Sequence, residues 1–270
     1  MRTKFTDWVL GSSVNLNGTN NEEIMSAMSA AKIKRLELAT DYNTYFNKLD
    51  FVNKSMDIRE TADKYGIELW SVHLPYSGAN LDISSLGENG DMTMKTHMAI
   101  IPAAAKAGFK VAVIHPSAEP VKDDERAAKL EKSRANLKIL AEYAKSYNIK
   151  LAVEELPRSC LGNCSDEMLY LFEGNPDLNM CYDLNHSLKQ ENTEFIGIVG
   201  DRIITLHVSD YDFIDERHQL PFMGKTDWKS VITALENVGY NGAWMYEVRR
   251  EQFGVTFGDL YENYNKLSEL

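Results

Sequence analysis

The sequence predicts an α/β protein: a single-domain (β/α)8 TIM barrel spanning residues 1–270. Three observations point there. Short apolar runs recur along the whole chain, segments of helical periodicity alternate with them, and charged and imidazole side chains gather at the C-terminal ends of the runs. Strand–helix alternation implies parallel βαβ units. A chain of 270 residues sits close to the roughly 250 of a typical barrel. An open, doubly wound sheet is the runner-up.

The runs are WVLGSS (8–13), RLELAT (35–40), LWSVHL (69–74), VAVIHP (111–116), LAVEEL (151–156), MCYDLN (180–185), IITLHV (203–208) and AWMYEV (243–248). Their nearly continuous apolar character suits buried parallel strands rather than strands with one wet face. Between them, NEEIMSAMSAAKI places Ile24, Met28 and Ala31 on one stripe. RAAKLEKSRANLKILAEYAKSYNI does the same with Leu130, Leu137, Leu140, Ala141 and Ala144, and DWKSVITALENVGY with Val231, Leu235 and Val238. Gly66, Gly108 and Gly239 stand just before strands, as helix C-caps do. FGDLYENYNKLSEL reads as an amphipathic last helix.

Composition removes several function classes. Hydrophobic residues make up 44% and charged residues 26%, enough to bury a large core without disulfides. Forty acidic against 29 basic residues give a net charge of −11. That balance argues against nucleic acid, whose binding rests on basic surface, and against an anionic membrane. Cys160, Cys164 and Cys181 form neither a redox pair nor a zinc ribbon, and are expected as reduced thiols. No run approaches the ~20 apolar residues of a membrane span, and the start of the chain lacks a secretory signal. The expectation is a cytoplasmic protein; whether it forms a homo-oligomer is open.

The polar residues carry the functional information. His73, His115, Glu154, Asp183, His207 and Glu247 end the third to eighth runs, and Glu37 is similarly placed in the second. In a (β/α)8 barrel those ends converge on the catalytic face. Singly, a buried strand-end histidine is more often a hydrogen-bonded structural residue than a ligand, and a strand-end carboxylate is often a helix cap. Jointly, three carboxylates without a cation would repel one another. A divalent metal at Glu154, Asp183, His207 and Glu247 removes that conflict. Such oxygen-rich donors suit Mn²⁺, Zn²⁺, Co²⁺ or Mg²⁺. His186 and His218 follow strand ends and could contact substrate, orient a ligand or hold a further metal. His97 lies in a helix and receives no role.

The segments HLPYSGANLDIS (73–84), VIHPS (113–117), VEELPR (153–158), YDLNH (182–186), LHVSDYD (206–212), ERHQLPFMGKTDW (216–228) and YEVR (246–249) together resemble the xylose isomerase-like barrel superfamily. Within it they are most similar to the sugar phosphate isomerase/epimerase group. The resemblance implies that Glu154, Asp183, His207 and Glu247 hold one divalent metal, and that Glu154 and Glu247 also carry protons. It implies His186 on substrate hydroxyls and Arg217 on the far end of the sugar or its phosphate. His73, His115 and His218 join the expected substrate-binding set. The implied chemistry is proton transfer through an enediolate on a sugar or sugar phosphate, with no organic cofactor. The loop Pro221-Phe222-Met223-Gly224 departs from the group's usual glycine-rich form, so Phe222 and Met223 either close over substrate or simply pack. Glu155 is expected to point away from the barrel interior.

The same superfamily contains endonuclease IV-like enzymes, which use three zinc ions. Their ligand pattern is matched by His73, His115, Glu154, Asp183, His186, His207, His218 and Glu247, with Glu216 where an aspartate would stand. An inosose dehydratase-type lyase would share the four-residue metal site. A non-catalytic sugar-binding barrel is opposed by the intact carboxylates.

Overall fold

The computed structural model describes residues 3–16, 18–39, 48–76 and 81–270. Thr40 of the second run and residues 77–80 of the HLPYSGANLDIS segment fall outside them. The strands are β1 Val9–Asn15, β2 Arg35–Ala39, β3 Glu68–His73, β4 Val111–Ile114, β5 Lys150–Glu154, β6 Leu178–Asp183, β7 Ile203–His207 and β8 Ala243–Tyr246. The helices are α1 Asn21–Ala30, α2 Lys48–Tyr65, α3 Glu88–Ala107, α4 Asp123–Ser146, α5 Ser165–Phe172, α6 Asn192–Val199, α7 Trp228–Asn237, α8 Arg250–Phe253 and α9 Phe257–Leu267.

All the strand pairs are parallel, in the order β7-β6-β5-β4-β3-β2-β1-β8. The ring closes between β7 and β8 just beyond their ends. Val208 N donates to Met245 O at 2.8 Å and Glu247 N to Val208 O at 3.0 Å. The expected (β/α)8 barrel is therefore the observed one. Most apolar side chains fill the layer between strands and helices. A small separate cluster of Val111, Val113, Ala152 and Cys181, with Trp70 and Ile204 against it, fills the barrel interior. Trp70 and Ile204 are the residues left over at register shifts in β3 and β7. Such shifts re-aim the side chains beyond them, and here they precede His73 and His207.

Gly66, Gly108 and Gly239 adopt left-handed backbone after α2, α3 and α7, as expected of C-caps. In α1 the core-facing residues are Met25 and Met28, with Ile24 at the margin, a small rotation from the expected stripe. The last helix, α9, buries Phe257, Leu260 and Leu267. Its Tyr264 hydroxyl donates to Trp8 O at 2.6 Å, tying the final helix to the segment before β1. No helix of the described residues is long and apolar enough to cross a membrane.

Candidate active site

Strand alternation places the site. Side chains two apart share a face. Val113, Ala152 and Cys181 point into the barrel, so His115, Glu154 and Asp183 point into its mouth. Thr205 and Ser71 precede His207 and His73 by the same step, and both lie buried.

Glu154 is the hub. Its Oε2 stands 2.9 Å from His73 Nε2 and 3.1 Å from His115 Nε2, and its Oε1 3.0 Å from His207 Nδ1. His207 Nδ1 also lies 3.3 Å from Glu247 Oε2 and 4.0 Å from Asp183 Oδ2. One ligand atom from each of Glu154, Asp183, His207 and Glu247 falls within 4.8 Å of the others, and the same holds for His73, Glu154 and His207. Asp183 Oδ2 is buried without a hydrogen-bond partner. A buried acceptor left open costs free energy, and a cation among these four residues would satisfy it. The donor set, three carboxylates and one imidazole, fits a divalent ion.

Burial disfavours the Glu154 carboxylate, but the imidazoles of His207 and His115 outweigh it and hold its pKa well below the ordinary value. Burial drives Glu247 the other way, well above it, helped by Asp183, Glu154 and Glu37. His207 is opposed by burial, yet the surrounding acids raise its pKa well above that of a free imidazole.

A second cluster lies alongside. His186 Nε2 is 3.1 Å from Glu216 Oε2 and 3.3 Å from Asp183 Oδ2, while His218 Nε2 is 4.0 Å from Glu216 Oε2. His186, Glu216 and His218 also offer ligand atoms within 4.8 Å of one another. The hydrogen bond from His186, resisted by burial, brings the Glu216 pKa down to about 2. Asn185 Oδ1 accepts the backbone N–H of Arg217 at 2.8 Å and of His218 at 3.1 Å, which fixes this stretch. Arg158 pairs with Glu119, Asp215 and Glu216, tying the loops after β4, β5 and β7 together. Both Arg158 and His218 have positive φ, a conformation that costs ~1–2 kcal/mol per residue and is held here by those bonds.

Both clusters open into a cavity of about 570 Å³, within the range of small-molecule sites. His73, His115, Glu154, His186, His218 and Glu247 line it. Arg217 does not: it is exposed and bonded to Asp212 Oδ2 at 2.8 Å. Phe222 and Met223 are also exposed and off the cavity wall, with Lys266 over the Phe222 ring. Glu155 is buried, and its carboxylate accepts Asp183 N–H at 2.8 Å. Its carbonyl stands 3.0 Å from His186 Nδ1. His97 stays outside the site, in α3, 3.1 Å from Pro75 O.

Sequence reasoning gave Glu37 no task. Its Oε1 lies 2.8 Å from His207 Nε2, and its Oε2 accepts from Ser71 Oγ at 2.7 Å. The signal was present, since Glu37 occupies a strand-end position like those of the ligands. Tyr76, whose ring centroid lies 4.3 Å from that of His115, and Arg249 also line the cavity without having been singled out.

Residues 27–266 match the sequence family described as xylose isomerase-like TIM barrel. An uncharacterized protein of Methanocaldococcus jannaschii is 24% identical over 217 residues, covering 77% of this chain and 73% of the relative. Among solved structures, a D-tagatose 3-epimerase-like protein superposes with a TM-score of 0.77 at 21% identity, covering 96% of this chain and 98% of the other. The 3-keto-D-glucoside 4-epimerase YcjR of E. coli gives 0.76 at 16%, covering 97% and 100%. A D-psicose 3-epimerase from Clostridium cellulolyticum H10 gives 0.74 at 16%, covering 96% and 92%. At these identities the likeness is one of fold.

Proposed function

The chain belongs to the xylose isomerase-like TIM barrel family, and from that premise we propose that it is a divalent-metal-dependent isomerase or epimerase of a sugar or sugar phosphate. The observation that carries the reading is the convergence of Glu154, Asp183, His207 and Glu247 on one point at the barrel mouth. The sugar epimerases that share its fold support it. A metal held by these four residues supplies Lewis-acid polarisation of a substrate carbonyl, which acidifies the neighbouring C–H.

The chain's own residues do the rest. Glu154, held ionised by His207 and His115, is the base that removes a proton from carbon. Glu247 is the second proton carrier and returns it. Return to the same carbon epimerises; return to its neighbour isomerises. His186 and His218 offer ring nitrogens to substrate hydroxyls across the cavity. The Tyr76 ring packs against His115 on the cavity wall.

The test is elemental analysis of purified protein, followed by metal-dependent deuterium exchange over a panel of aldoses and ketoses. Exchange at a carbon next to the carbonyl, abolished in Glu154→Gln, is expected. Metal-loaded protein that exchanges none of them refutes the proposal.

One observation favours a second reading. The cluster of His186, Glu216 and His218, with His73 and His115 both on Glu154, provides for more than one ion, as in the endonuclease IV-like branch. Three metals per chain with nicking of abasic-site DNA would establish it. The net charge of −11 opposes a DNA substrate.

A further inference from the structure

The cavity wall carries three cations: Lys129, Arg158 and Arg249. Two are committed. Lys129 pairs with Asp82 at 3.0 Å in a nearly buried bridge. Arg158 is engaged by Glu119, Asp215 and Glu216. Among the described residues Arg249 has no carboxylate partner and no side-chain hydrogen bond. Its backbone is nevertheless fixed, because its N–H donates to His218 O at 3.0 Å.

Arg249 is exposed, as Arg217 is, but it stands on the cavity wall with its guanidinium unspent in an acidic mouth. Glu154, Glu216, Glu247, Glu119 and Asp82 line the same cavity. Their field repels an anion unless a cation draws it in. A neutral sugar gains little from such a cation, whereas a phosphate monoester or carboxylate gains a bidentate, charge-assisted partner. Arg217, the arginine expected from sequence for the far end of the substrate, is spent on Asp212 outside the cavity.

We propose that Arg249 is the anion-anchoring residue of the cavity, and that the substrate is a sugar bearing a terminal phosphate or carboxylate. This deepens the isomerase reading and rests on it for the sugar, though not for the anion.

The test titrates metal-loaded full-length protein calorimetrically with D-fructose, D-fructose 6-phosphate and D-fructuronate as probes, alongside the Arg249→Ala, Arg249→Lys and Arg217→Ala variants. The wild type should bind at least one of the two anions roughly 10-fold or more tightly than fructose, in line with hydrogen bonds to charged groups. Arg249→Ala should remove most of that excess and Arg249→Lys recover part of it, with Arg217→Ala retaining it. The phosphate and uronate arms identify which anion is meant. No anion preference in the wild type overturns the proposal. So does a preference that survives Arg249→Ala, or one that Arg217→Ala removes instead. Deuterium exchange on the same probes separates the two proposals. Arg249-dependent binding without exchange on any sugar leaves the anion subsite standing and the isomerase reading refuted. Exchange on fructose with no anion preference does the reverse.

Discussion

Single residues set the protonation states on which the site depends, and Glu37 is the most informative. It is fully buried, anchored by Ser71, and 2.8 Å from His207 Nε2, close enough for an ion pair though not in line for a hydrogen bond. A carboxylate there favours the proton on Nε2 and leaves Nδ1, the nitrogen facing Glu154, Glu247 and Asp183, free to bind a cation. Glu37→Gln should therefore weaken metal affinity by about 10- to 100-fold without removing a ligand. Titration against a metal buffer measures it, and unchanged affinity would show Glu37 to be structural only. This residue was half legible: its position gave it away, but which imidazole nitrogen it faces depends on how β7, with its register shift, aims His207. His97 tests a different effect. Burial pushes its imidazole down to about 4, while the unfolded chain's titrates near 6.5. Between those values the unfolded state binds more protons, so stability is full above pH ~6.5 and falls as pH drops towards ~4. Between about pH 7 and 4.5, the wild type should lose about 2 kcal/mol more than His97→Asn in urea unfolding. Equal losses would refute the shift.

At the scale of elements, the loop after β7 delivers Glu216 and His218, and one buried carboxylate holds it. Asp210 Oδ1 accepts Tyr211 N at 2.9 Å and Thr226 N at 3.1 Å, and Oδ2 accepts Phe222 N at 2.9 Å and Trp228 Nε1 at 3.1 Å. Asp210 and Gln219 also exchange backbone hydrogen bonds. Asp210→Asn converts one acceptor into a donor facing donors, so about 2 kcal/mol or more of stability should be lost. Metal binding by the His186–Glu216–His218 group should fall more than at Glu154. Gly224→Ala makes the same point by steric means, since its Cβ would clash with Asp210 Oδ1 and Tyr211 O. A loop variant with wild-type unfolding and wild-type metal content would sink this account. The sequence did not disclose the hub, because three of its four donors are backbone N–H groups that no side-chain pattern encodes. Strands were legible, since a buried parallel strand needs a continuous apolar run. Several ends were read one or two residues too far, because the runs continue through HP (115–116) and EV (247–248) after the backbone leaves the sheet. Arg217 went astray for a related reason: its match to the family pattern was visible, but Asp212, which draws it outward, lies in the same loop and gives no sign of its own geometry.

For the whole molecule, the barrel gathers Glu37, Glu154, Asp183, Glu216 and Glu247 into one mouth of a chain whose net charge is already −11. Without a cation the folded state must hold these acids together, partly by protonating Glu247 and charging His207 and His186. The unfolded chain separates them, so the cation acts as a ligand of the native state alone and should raise its stability by mass action. At a free concentration about 100 times Kd the gain is about 2.7 kcal/mol, which for domains of 150–250 residues corresponds to a rise in Tm of roughly 5–10 °C. Chelator-treated protein should melt lower than protein in excess Mn²⁺ or Zn²⁺ by that amount, read by scanning calorimetry. Glu154 takes part in two of the three candidate groups, whereas Glu216 belongs to one. Glu154→Ala should therefore abolish most of the metal-dependent rise, and Glu216→Ala should leave a substantial part of it. Equal losses in the two variants would mean that the groups bind as one cooperative unit. A Tm indifferent to every divalent ion would remove the metal from the mouth altogether.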